Sequence, residues 1–168
     1  SDSHEMTVRA ATKADLPDLF HMNVEMAIFQ KVESEVHISL EQFIRDFEDR
    51  RFEGFVLIDD ETEKAAGMAL YHYAYDVWKG TYIAMEELFV RPEYRNKKYG
   101  KLLWAAVAQV AKEKNATRLN WLVHDSNKRA MNFYHSVEGV AEDKMYGGFL
   151  PFVMNRQGIE RFVESFSN

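Results

Sequence analysis

Residues 65–90 constrain the fold more than any other part of the chain. Ala65 to Tyr75 reads as a long strand in which Tyr71, Tyr73 and Tyr75 share one face. Asp76-Val77-Trp78-Lys79-Gly80 supplies a turn, and Thr81 to Val90 returns as a second long strand closed by Pro92. Strands of this length need partners and covering layers, and the flanking segments provide them. Thr7 to Ala11 alternates weakly, and after Thr12-Lys13-Ala14-Asp15 the residues Leu16, Leu19, Phe20, Val24, Ala27 and Ile28 recur at helical spacing. Ser39 and Gln42 have the form of a capping box ahead of a short helix carrying Leu40, Phe43, Ile44 and Phe47. Phe55 to Ile58 is a buried strand ending at Asp59-Asp60.

Beyond Pro92, Lys98-Tyr99-Gly100 opens a helix with Leu102, Leu103, Ala106, Val107 and Val110 in one apolar stripe. Leu119 to Val123 reads as a fifth strand, and Ser126 or Asn127 caps a helix bearing Ala130, Phe133, Tyr134 and Val137, with Gly139 at its end. Val140 to Lys144 and Phe149 to Met154 are expected to pair around Gly147-Gly148, and Ile159 to Phe166 to form a terminal helix. This order predicts an α/β fold built on a mixed sheet.

At 168 residues the chain has the length of one domain. Its 46% apolar and 14% aromatic content is too high for a disordered chain, and its 29% charged content is too high for a membrane protein. No run of 18 apolar residues occurs. The net charge of −6 argues against nucleic-acid and anionic-membrane partners. Without cysteine there is no disulfide, thiolate nucleophile or thiolate metal site, and the six histidines show no metal-binding spacing, so no metal is expected. Ser1 to Glu5 reads as a cloning remnant ahead of a native Met6. No secretory pattern follows it, so a cytoplasmic location is expected.

Three features carry candidate chemistry. Glu86 and Glu87 interrupt an apolar strand, where alternation sends them to opposite faces and lets at most one face the core side. Such a carboxylate is either a solvated or ion-paired structural group or a general base. Arg95-Asn96-Lys97-Lys98-Tyr99-Gly100, between a strand and a helix, is either a basic turn or a phosphate-binding loop presenting N–H groups and cations. Tyr134 lies on the apolar face of its helix, where core packing with its hydroxyl bonded nearby and a catalytic role are both open.

Taken together, Tyr75 to Gly80, then Met85 to Arg95, then Asn127 through Phe133-Tyr134 resemble the GNAT superfamily of acetyl-CoA-dependent N-acetyltransferases. The Asp-x-Trp-x-Gly turn before the glutamate-bearing strand resembles the diamine (spermidine/spermine) and thialysine acetyltransferase branch, and the resemblance runs from Val8 to Met154. It implies a mixed sheet splayed between its fourth and fifth strands, flanked by helices, with residues 6–168 forming a single N-acetyltransferase domain. It further implies that acetyl-CoA pairs with Leu88-Phe89-Val90 as an added strand would, and that its phosphates meet Arg95, Asn96, Lys97, Lys98, Tyr99, Gly100 and Lys101. Asn127, Arg129 and Ala130 complete the implied cofactor site.

The chain departs from the family's R/Q-x-x-G-x-G/A pattern at Lys98, where glycine is usual: a side chain there either obstructs close approach or meets a phosphate oxygen. A second departure is the step from Tyr134 to Gly139, one residue longer than usual, which leaves the end of that helix open. The implied catalytic roles are a general base at Glu86 and a general acid at Tyr134, with a backbone N–H near Leu88 holding the oxyanion. Phe29, Gln30, Asp76, Trp78, Glu86, Asn120, Trp121 and Leu122 would line the amine pocket. Gln30 stands where the polyamine enzymes usually carry an acid, which favours a thialysine-like or lysine-like amine over spermine. The resemblance also implies a homodimer. Two other readings are a protein or peptide N-acetyltransferase on the same fold, and a non-enzymatic CoA-binding regulatory protein with a degenerate phosphate loop.

Overall fold

The computed structural model describes residues 5–95, 98–142 and 152–167. The chain forms two compact units, one running to Leu122 and one from Val123.

The larger unit is a five-stranded sheet in the order β1 (Met6–Ala10), β2 (Glu53–Asp59), β3 (Lys64–Asp76), β4 (Gly80–Val90) and β5 (Leu119–Asn120). The first four strands are antiparallel neighbours, and β4 pairs β5 in parallel. Helices α1 (Leu16–Phe29) and α2 (Leu40–Glu48) lie between β1 and β2 in the chain, and α3 (Tyr99–Glu113) between β4 and β5. The core joins Leu16, Leu19 and Met22 of α1 and Phe43 of α2 to Val56, Met68, Leu70 and Phe89 of the sheet. The even-numbered β3 residues 68 and 70 therefore face α1 and α2. The opposite face meets α3, since a Cβ built on Gly67 would approach Leu103 at 3.3 Å. Tyr71 and Tyr73 share that second face and both donate to Glu53, at 2.8 and 3.2 Å.

Local chemistry sets the helix ends. Pro17 sits in the first turn of α1, where its missing N–H is harmless. Lys31, at φ 59°, turns the chain out of the helix as the left-handed terminator, and the Val32 N–H bonds back to Ala27 at 2.8 Å. Only half of the capping box at α2 forms: Ser39 Oγ accepts the Gln42 N–H at 3.1 Å, while the Gln42 side chain turns to Asp46 at 2.7 Å.

Two expectations for this region need correction. The fifth strand spans Leu119–Asn120 rather than Leu119 to Val123, because its ladder with β4 is made at Ile83 and Ala84 and does not run on to Trp121. The sheet is thus splayed between its fourth and fifth strands, and among the described residues no strand pairs with that edge of β4 from Met85 onward. Alternation along β3 and β4 also breaks. Tyr71 pairs Met85 while Leu70 pairs Glu87, so β4 carries one extra residue, Glu86, in a β-bulge.

In the smaller unit, α4 (Lys128–His135) and α5 (Arg156–Ser167) are the helices among the described residues. Asn127 caps α4 by accepting the Ala130 N–H at 3.2 Å. The helix stops at His135, before Val137, and Gly139 follows at φ 86°. Of the expected last hairpin, Val140 to Glu142 and Phe152 to Met154 carry no strand, and residues 143–151 lie outside the described residues. No described helix is long and apolar enough to cross a membrane.

Candidate active site

The β4 bulge decides where the two carboxylates point. Residues in register share a sheet face, so Glu87, opposite Leu70, lies on the α1/α2 face. Glu86 meets His72 Nδ1 through Oε1 at 3.3 Å, and His72 shares the face of Leu70. Both glutamates therefore serve one face, against the expectation of opposite faces. An extra residue between them cancels the alternation.

Their environments differ. The Glu86 side chain is 63% exposed, whereas Glu87 is half-buried. Burial pushes the Glu87 carboxyl up to about 7, the Glu86 charge adds to the rise, and the Leu88 N–H directed at it opposes the rise. Glu87 thus keeps its proton in the folded chain at pH values where an unfolded chain has lost it. Native stability must fall as pH rises from the ordinary carboxylate range to about 7. Glu87→Gln is expected to melt higher than wild type at pH 8, with the gap closing toward pH 4. A gap independent of pH would contradict this environment.

The open edge of β4 continues from this point. The Thr81 carbonyl and Ile83 N–H bond the β5 side, whereas beyond the bulge the Arg91 N–H bonds Ala66 of β3. The alternation places the backbone groups of Leu88 and Val90 on the open edge, with Phe89 in the core. The Leu88 N–H approaches the Glu87 carboxylate there. Arg95 Nε donates to the Val90 carbonyl at 3.0 Å, with its guanidinium 5.0 Å from the Phe29 ring and 5.8 Å from that of Phe89. Phe29 and Gln30, at the end of α1, are exposed.

Downstream, α3 begins with no side-chain cap and no acid in its first turn. The N–H groups of Tyr99, Gly100 and Lys101 lie in that first turn, where an anion is favoured, with Lys98 and Lys101 as neighbouring cations. Among the described residues a Cβ on Gly100 would meet Val90, at the ordinary contact distance of 3.9 Å, so they leave the backbone open to approach there. The donor set fits a pyrophosphate. Asn96 and Lys97 lie outside the described residues.

Lys98 sits at φ 65° and ψ 11°, the left-handed conformation that costs a side-chain-bearing residue about 1–2 kcal/mol. The glycine usual at this position suits that backbone. Lys98→Gly is expected to stabilise the fold by up to about 1 kcal/mol, since glycine's extra unfolded-state entropy offsets part of the gain. This corresponds to roughly 2–4 °C in melting temperature. A lower melting temperature would mean that the Lys98 side chain makes a stabilising contact that outweighs its strain.

The remaining candidate pocket residues divide. Asn120 pairs Ala84 in register and shares the Glu86 face. Trp121 turns the other way, its ring edge-on to Trp104 of α3 at 5.1 Å, and Leu122 is fully exposed. The Asp76 carboxylate accepts the Trp78 and Lys79 N–H groups at 2.8 and 3.1 Å and pairs with Arg118 at 3.0 Å. These contacts, led by the Trp78 N–H, hold its carboxyl below the usual range. Asp76 therefore builds the β3–β4 turn, which holds Trp78 at the surface. In the smaller unit Tyr134 is half-buried with its ring 5.5 Å from Phe133, Asn127 and Ala130 form the α4 cap, and Arg129 is exposed. Sequence reasoning missed His72, Tyr82 and Arg118, which share the Glu86 face; the even spacing of His72 with Leu70 was the available signal for the first.

Residues 17–139 match the family model described as "Acetyltransferase (GNAT) family". The chain is 36% identical over 146 residues to a thialysine N-epsilon-acetyltransferase of Caenorhabditis elegans, covering 87% of this chain and 89% of that protein. It is 44% identical over 59 residues to an L-ornithine N5-acetyltransferase of Arabidopsis thaliana, covering 35% of this chain and 25% of that one. Its fold matches that of an aminoglycoside N-acetyltransferase solved in complex with CoA, with a TM-score of 0.70 at 18% identity over 92% of this chain and 97% of that one. A splayed mixed sheet with an uncapped helix after its fourth strand, joined to a family match over most of the chain, makes this protein a member of the GNAT acetyltransferase family and an acetyltransferase.

Proposed function

We propose that the enzyme moves the acetyl group of acetyl-CoA directly to the side-chain amine of a small amino acid of the thialysine, ornithine or lysine kind, with residues 6–168 acting as one catalytic domain. The observation that carries this reading is the bulged β4, which sets Glu86 on the same strand as the edge backbone groups of Leu88 and Val90 that β5 does not pair. Acetyl-CoA supplies an acetyl thioester. The open edge at Leu88 and Val90 receives its extended arm, and the first turn of α3 with Arg95, Lys98 and Lys101 receives its phosphates. Arg95 leaves the Val90 carbonyl for the phosphates in doing so.

An ammonium of ordinary pKa, about 10.4, is only ~0.04% neutral at pH 7, so Glu86 takes its proton. The Tyr134 phenol protonates the departing thiolate. The names of the relatives, which act on thialysine and ornithine, support an amino-acid acceptor. The test is acetyl-CoA-dependent release of free thiol across thialysine, lysine, ornithine, spermine and short peptides. The small amino acids should give the highest kcat/KM. Faster acetylation of a peptide would shift the reading to a protein acetyltransferase, and no turnover of any amine would overturn it.

A further inference from the structure

The face that carries Glu86 continues toward the β3–β4 turn as a strip with opposite chemistry at its two ends. His72 of β3 pairs Ala84, which pairs Asn120 of β5, and Ala74 pairs Tyr82. At one end Glu86 reaches back to His72, which places its carboxylate near the level of Ala84. At the other, Arg118 lays its guanidinium 3.7 Å from the centre of the Tyr82 ring. Between them the floor is Ala74 and Ala84, small and only partly covered.

Arg118 is incompletely used by the fold. Its Nη1 donates to Asp76 at 3.0 Å, while its buried Nε has no acceptor and no acceptor meets Nη2 among the described residues. Asp76 is already served by two backbone N–H groups, so Arg118 is not needed to hold the turn's carboxylate alone. An open depression of about 290 Å³ adjoins it, walled by Tyr75, Val77 and Trp78.

We propose that Arg118 receives the α-carboxylate of the acceptor amino acid while its side-chain amine lies at Glu86, so that Arg118 selects amino acids over diamines. The spacing fits. The His72 level and the Tyr82 level are two residues apart on the strand, roughly 7 Å. An extended lysine-sized chain separates its terminal amine from its carboxylate by six bonds, also on the order of 7 Å. A guanidinium recognises a carboxylate strongly, and a diamine offers it only a second positive charge. The assignment rests on the reading of Glu86 as the proton acceptor.

The experiment compares pairs that differ only in the carboxylate: lysine with cadaverine, ornithine with putrescine, and thialysine with bis(2-aminoethyl) sulfide. Wild type should favour the acid member of each pair by at least tenfold in kcat/KM, and Arg118→Met should lower that ratio at least tenfold, mainly through KM. Arg118→Lys should restore part of it. Equal loss on both members would show that Arg118 only braces the turn and would overturn the proposal. So would a wild type indifferent to the carboxylate. If Arg118→Met does not fold, the wild type decides: lysine methyl ester should show a KM at least tenfold above that of lysine, and an unchanged KM counts against the site. Turnover without carboxylate preference sinks this assignment alone, whereas no turnover of any pair sinks the acetyltransfer reading beneath it.

Discussion

Glu86→Gln is expected to slow the chemical step by about 10²–10⁴-fold at pH 7, the usual worth of a general base. The amide is nearly isosteric and Glu86 is exposed, so the fold should be unaffected and acetyl-CoA affinity retained. Raising the pH toward 10 should recover much of the loss, because the amine then arrives neutral. The bulge adds a condition that plain alternation would not. Glu87 stands on the same face with a carboxyl pushed up to about 7, in part by the Glu86 charge that this variant removes, so its capacity to replace Glu86 grows as the pH rises. The further loss of the double variant relative to Glu86→Gln should therefore be larger at pH 8 than at pH 6. A Glu86→Gln enzyme with more than half of wild-type turnover at pH 7, chemistry being rate-limiting, would move the base elsewhere.

Tyr134→Phe should slow turnover by about 10²-fold, at the lower end of acid catalysis, with little change in acetyl-CoA affinity. Its pH behaviour should be opposite in kind. The defect concerns departure of the thiolate rather than arrival of the amine, so high pH should not rescue it. An acetyl donor with a more acidic thiol should. Measuring both variants between pH 6 and 10 separates the two proton transfers, and rescue of Tyr134→Phe by pH alone would assign Tyr134 to the amine side instead.

Much of this architecture was legible from residue pattern. The apolar periodicity of Leu16 to Ile28 and of Leu102 to Val110 located α1 and α3, and the turn at Asp76 to Gly80 placed the β3–β4 pair. What stayed hidden has a common origin, because pairing register depends on the partner strand. The bulge at Glu86 is visible only from Leu70 and Tyr71 opposite, so alternation placed Glu87 on the wrong face. The fifth strand ends after Asn120 because β4 diverges, although Trp121 to Val123 remain apolar. The conformation of Lys98 is likewise a property of the loop it closes, and it shows the backbone cost that the departure from glycine carries. Arg118 gave no signal because its meaning comes from Tyr82 and Asp76, distant in sequence.

The central claim is direct transfer between two molecules held on one strand, with no acetylated enzyme between them. Enzyme loaded with acetyl-CoA and mixed rapidly with thialysine, in a single turnover, tests it most directly by following free CoA and acetylated amine together. Direct transfer predicts that no CoA appears before the amine is added and that both products then rise at one rate. A burst of CoA equal to the enzyme concentration in the absence of amine would contradict it.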